Sequence, residues 1–189
     1  PRTLDGWRAE AMECRDAGSI ETATLLSGPQ GDRMRRCLLE ARGPLVLHML
    51  HALVGDDVFF TALRTLLGSG EGAPATTAAL RAALQASLGR DLGRFFQDWY
   101  REGGIPELHL ASRLDAVAGG YRLTGRLTQS GTTTPKRLVV PLVLDFPGGR
   151  REERRVVLEG EETGLAIDLQ EKPRRILLDP RRDLLAIVR

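Results

Sequence analysis

Few side chains in this sequence are suited to chemistry. His48 and His51 stand at i and i+3, where two rings on one helix face can share a metal ion. A catalytic zinc needs three protein ligands and keeps one position for water. The remaining histidine, His109, lies far along the chain, and no His-Glu-x-x-His pattern is present. The pair is therefore expected to be structural, with one ring at the surface and the other packed or hydrogen-bonded. Cys14 and Cys37 are the only cysteines. Two cysteines so far apart make neither a disulfide framework nor a zinc knuckle. Two free thiols are the expected state, and a single bridge in an oxidising compartment is the alternative.

Other clusters have plainer readings. Phe95, Phe96, Trp99 and Tyr100 could form an aromatic cage, but their helical spacing reads as core. Arg150 to Arg155 is a mixed charge run around a hairpin turn, expected to make cross-strand ion pairs on a solvated strand pair. Ser130-Gly131-Thr132-Thr133-Thr134 reads as a loop, since no Ser/His/Asp order or glycine-rich phosphate loop accompanies it. With 27 Lys and Arg against 25 Asp and Glu, the net charge of +2 is too small to imply a nucleic-acid partner. At 42% apolar and 28% charged, the composition is that of a folded domain, not a disordered one. No uninterrupted apolar run approaches the ~20 residues of a membrane span, so none is expected. The chain opens on Pro1, and we expect it to be a piece of a longer protein.

The elements that must position these groups fall into two halves. Residues 1–104 read as helices. Leu4–Arg15 is weakly amphipathic, Asp32 is a plausible N-cap for a helix through Arg42, and Pro44 suits a first helical turn. From Pro44 to Val54 the pattern is apolar nearly all round, which marks a buried helix ended by Gly55. Asp56-Asp57 opens the next helix, Gly68–Pro74 is a loop, and Thr76 caps a helix ended by Gly89. Asp91 caps the helix bearing the aromatic cluster. The first ~25 residues are expected to be loosely ordered. Residues 105–189 change period. Short alternating runs, such as Leu108 to Ala111, Val139 to Leu144 and Leu184 to Val188, are separated by turn residues and make about seven strands. The fold class is α+β in two segregated parts: an all-α region over 1–104, then an antiparallel immunoglobulin-like β-sandwich over 105–189.

Against these elements a resemblance emerges. Glu40-Ala41-Arg42-Gly43-Pro44-Leu45-Val46-Leu47-His48-Met49-Leu50 resembles the Tyr-x-Lys-Gly-x-x-Val-Leu-His-Met-Leu segment of the aminopeptidase N (membrane alanyl aminopeptidase) family, which are gluzincin zinc aminopeptidases. Val54-Gly55-Asp56-Asp57-Val58-Phe59 with Ala62-Leu63 is similar to the family's hydrophobic-Gly-Asp-x-x-Phe-x-x-Ala-Leu. Phe95-Phe96-Gln97-Asp98-Trp99 leading into Gly104-Ile105-Pro106 matches its Phe-x-x-Trp and Gly-(Ile/Thr/Tyr)-Pro marks. The ordered match covers Glu40 to Leu110.

The resemblance implies that the helical region is the C-terminal part of a thermolysin-like catalytic domain, followed by the family's β-sandwich. It implies zinc for the full-length parent and no cofactor in this segment, which would be inactive alone and support the catalytic cleft. The implied partners are the upstream catalytic domain of the same parent chain and, for the parent, a peptide substrate. One active-site position of the family falls here: the tyrosine opening Tyr-x-Lys-Gly, whose hydroxyl stabilises the oxyanion. Glu40 occupies it. An ionised glutamate only accepts hydrogen bonds, so beside a developing oxyanion it repels and is expected to be non-functional. Three explanations stand. The parent is a degenerate relative acting as a scaffold or interaction module, or another donor from outside this chain serves, or the loop adopts a different register.

Overall fold

A computed structural model describes residues 3–68 and 76–189. The chain divides into two compact units, Pro1–Gly103 and Gly104–Arg189. The first is helical and the second a seven-stranded β-sandwich, which is the segregated α+β class.

The helical unit begins with α1 (Leu4–Glu13), whose N-cap Thr3 accepts from the Gly6 amide at 3.2 Å. A 3-10 turn follows at Ala23–Leu25. Within the first residues, Leu4–Glu13 is helical, and a bridge described below pins the end of α1. α2 (Gly28–Arg36) starts four residues before the expected Asp32 cap. Ser27 is its N-cap and Pro29 occupies the first turn, where its missing N–H costs nothing. Asp32 instead pairs with Arg35 at 2.7 Å.

The next helix also differs from expectation. Pro44 does not open a separate element: α2 passes through a π-helical turn (Cys37–Arg42) into α3 (Gly43–Val54) as one run, Gly28–Val54. By length and composition alone this 27-residue run could cross a membrane. Half of its most apolar window is buried within the protein, as in a core helix. Gly55, at φ 83°, takes a backbone conformation that suits glycine and ends the run.

α4 (Asp56–Gly68) carries two acidic residues in its first turn, where they suit the helix dipole. Apart from Gly68, which ends α4, the expected loop to Pro74 lies outside the described residues. α5 (Thr77–Leu88) is capped by Thr76, whose hydroxyl accepts from the Ala79 amide at 3.1 Å. Asp91 accepts from the Gly93 amide at 2.9 Å, a bond that holds its carboxyl below the usual carboxylate range. The short α6 (Gly93–Phe96) then runs into a second π turn, Gln97–Arg101. The core joins Leu50, Phe59, Ala62, Leu84, Leu92 and Phe96. Trp99 is also buried, and Phe95 and Tyr100 pack at the core's margin, so the aromatic cluster is core.

The sandwich has strands β1 (Glu107–Val117), β2 (Gly120–Ser130), β3 (Leu138–Asp145), β4 (Arg151–Leu158), β5 (Glu162–Leu169), β6 (Arg175–Leu178) and β7 (Ile187–Val188). One sheet has the order β5-β2-β1-β7 and the other β4-β3-β6. Pairing is antiparallel except for β7, which runs parallel to β1 with Glu107 opposite Ile187. The expected final strand from Leu184 shortens for a physical reason. The Asp179 carboxylate accepts from the Asp183 and Leu184 amides at 2.8 and 3.0 Å and holds that stretch as a loop. Leu123 and Leu169 of one sheet meet Leu142 and Leu144 of the other in the sandwich core. Pro141 sits in a central strand without disrupting it. Pairing of β3 with β6 begins one residue later, and the Pro141 carbonyl still accepts from Asp179 N at 2.8 Å. The charge run makes the expected cross-strand pair at Arg151, 2.7 Å from Asp145, whereas Arg154 pairs along its own strand with Glu152 at 2.6 Å.

Candidate functional site

The π turn that carries Glu40 follows from the residue after Gly43. A proline in a helix interior offers no N–H to the carbonyl four residues back, and its ring crowds that oxygen. For Pro44 that carbonyl belongs to Glu40. Widening the turn by one residue relieves the conflict, and the Gly43 amide accordingly donates to the Leu38 carbonyl, five residues back. Such turns recur at functional sites. A proline inside an otherwise helical pattern was the available signal, and it was read as a helix start instead.

Both ends of the turn are tied to the stretch that follows α1. Cys37, its first residue, is bridged to Cys14 with the two Cα atoms 6.4 Å apart. This corrects the expectation of free thiols. The spacing in sequence had no bearing, because the helical hairpin formed by α1 and the Gly28–Val54 run brings the two residues together. Arg42, the turn's last residue, is fully buried and donates to the Gly18 carbonyl at 3.1 Å and the Ala17 carbonyl at 3.4 Å. Burial pushes its guanidinium down to about 10, still above neutral pH, so it remains a cation. Bonds to two carbonyls offset part of the cost of burying that charge. Sequence reasoning aligned Arg42 with a family lysine and assigned it no role.

Glu40 projects from the middle of this braced turn. It is exposed and lines an open groove of about 660 Å³ together with Glu10, Glu13, Arg33, Arg36 and the two bridged cysteines. Glu13 and Arg33 pair across it at 3.5 Å. The groove can present hydrogen-bond acceptors and a guanidinium donor. Its glutamate at position 40 cannot donate to an oxyanion when ionised.

The histidines do not converge. The His51 ring nitrogen lies 2.7 Å from the Asp56 carboxylate, and its ring packs 4.7 Å from that of Phe59. It thereby links the end of α3 to the start of α4. His48 is half-buried on α3, and His109 is exposed on β1 of the other unit. Among the described residues, no group of three or more His, Cys, Asp and Glu could hold a metal ion. The residues present therefore do not fit the zinc that the resemblance implies.

No family model matches the sequence, and no curated protein matches it. Solved structures do. The chain is similar to an aminopeptidase A of Legionella pneumophila, solved in complex with aspartic acid, with a TM-score of 0.68 at 17% identity. The likeness covers 84% of this chain and 18% of that one. The fold is therefore aminopeptidase-like, shared with less than a fifth of that enzyme's length.

Proposed function

We propose that this chain is the C-terminal part of a zinc-dependent aminopeptidase of the gluzincin, aminopeptidase N type. The observation that carries the reading is the coincidence of two independent likenesses. The motifs from Glu40 to Leu110 follow the family's order, and the fold matches a stretch of an aminopeptidase over 84% of the chain. On this reading the helical unit supports the substrate cleft from the end of a thermolysin-like domain, and the segment alone has no activity. Its partner is the upstream catalytic domain of the same parent chain, and the parent's substrate is a peptide. The zinc would belong to residues upstream, since the described residues include no group of three His, Cys, Asp and Glu to hold it. Leu39, Leu47 and Phe60 are apolar and exposed on the helical unit, which suits a surface that packs on more protein.

A second reading is favoured by one residue. Glu40 sits where the resemblance places the oxyanion-stabilising tyrosine, and the structure leaves its side chain exposed in the groove. The parent would then be a non-catalytic relative whose helical unit and sandwich act as a scaffold or interaction module. Metal analysis of the purified longer protein separates the two. About one zinc per chain supports the peptidase, and a metal-free protein that stays so on dialysis against zinc supports the scaffold.

A further inference from the structure

The π turn is held at its two ends by tethers of different chemistry. At Cys37 the tether is covalent, and at Arg42 it is a pair of charged hydrogen bonds. Both reach the same short stretch, Cys14 to Gly18. A thiol reagent can open the first tether and cannot affect the second. Both bridged cysteines are buried, yet they form part of the wall of the open groove of about 660 Å³, which is the side from which a small dithiol would reach them. The apolar core of Leu50, Phe59, Leu84 and Phe96 contains neither cysteine.

We infer that the Cys14–Cys37 bridge is a redox-controlled clasp on the π turn, closed when oxidised and loosening the segment that carries Glu40 when reduced. In the reduction a dithiol attacks one sulfur, the S–S bond breaks, and a mixed disulfide forms. The reagent's second thiol then closes its own disulfide and releases the protein's second thiol. Two electrons and two protons pass from the dithiol to the protein. Arg42 keeps the turn attached to Ala17 and Gly18 in both states, so the change is local. This device stands on the helical unit and does not depend on the peptidase reading.

Amide hydrogen exchange on the whole chain, before and after incubation with dithiothreitol, tests the clasp, with thiol alkylation and mass measurement to score the redox state. The expected result is reduction under native conditions. Exchange then rises in residues 14–18 and 37–42 at least about tenfold more than in α4 and α5. Three results overturn it. The bridge resists dithiothreitol until denaturant unfolds the unit, or exchange rises equally across α3 to α5, or exchange does not change on reduction. The first two describe a structural staple and the third a bridge without influence on the turn. A Cys14→Ala/Cys37→Ala variant that exchanges like the reduced protein supports the clasp independently of the reagent.

Discussion

Removing the Cys14–Cys37 bridge perturbs the helical unit by an amount that its loop length sets. The two cysteines are 23 residues apart in sequence. Closing a loop of that size restricts the unfolded chain, and the chain-entropy relation assigns the bridge about 3 kcal/mol at room temperature. Both cysteines are buried, so alanine is the better replacement, because serine would add buried hydroxyls. For a unit of roughly 100 residues, each kcal/mol lowers the melting temperature by about 4–8 °C. The Cys14→Ala/Cys37→Ala variant should therefore melt roughly 12–25 °C lower, followed by circular dichroism at 222 nm, where helices dominate. Dithiothreitol should lower the wild-type transition by a similar amount and leave the variant unchanged. A loss under about 1 kcal/mol would refute the reasoning: the bridge would then be absent in solution, or the unfolded chain already compact.

Leu84→Ala in the helical core and Leu123→Ala in the sandwich core should each cost about 2–5 kcal/mol in urea unfolding, since both side chains are wholly buried. Arg42 gives a pH dependence. Its folded value, about 10, lies below that of an ordinary guanidinium, so the unfolded chain holds the proton more tightly. The group therefore costs stability below pH 10, and that cost is relieved as pH rises. Compared with Arg42→Met, the wild type should gain about 1 kcal/mol between pH 9 and 11, measured by denaturant midpoints of both proteins. Pro44→Ala restores an N–H facing the Glu40 carbonyl. It should let the π turn revert to α geometry, visible as a Gly43 amide bonded four residues back in a crystal structure. In the longer protein, Glu40→Tyr should raise aminopeptidase turnover tenfold or more if the oxyanion position is as the resemblance places it.

The fold was largely legible because its signals are periodic. Leu80, Leu84 and Leu88 announce α5 at helical spacing, and alternation around Leu123 announces β2. Thr76 and Gly89 were readable as boundaries because their chemistry acts within one turn. Long-range constraints were not readable. The bridge depends on how α1 lies against the Gly28–Val54 run, which no local pattern encodes. The π turn depends on a contest between Pro44 and continuity of the helix, and the sequence alone suggested that the proline had won. β7 was overextended because Leu184, Leu185 and Ala186 look like a strand, whereas Asp179 caps them into a buried loop. The site was legible only as a position. Glu40 was singled out by alignment to a motif, while Arg42 and the bridge that brace it carry no signal beyond their residue types.

The peptidase reading rests most directly on turnover by the longer protein. Purified with zinc, it should release the fluorophore from aminoacyl coumarylamides, lose that activity to a chelator and regain it with zinc, while residues 1–189 alone release none. A longer protein that binds zinc yet leaves a full panel of such substrates intact would contradict the account and leave Glu40 as the mark of a non-catalytic relative.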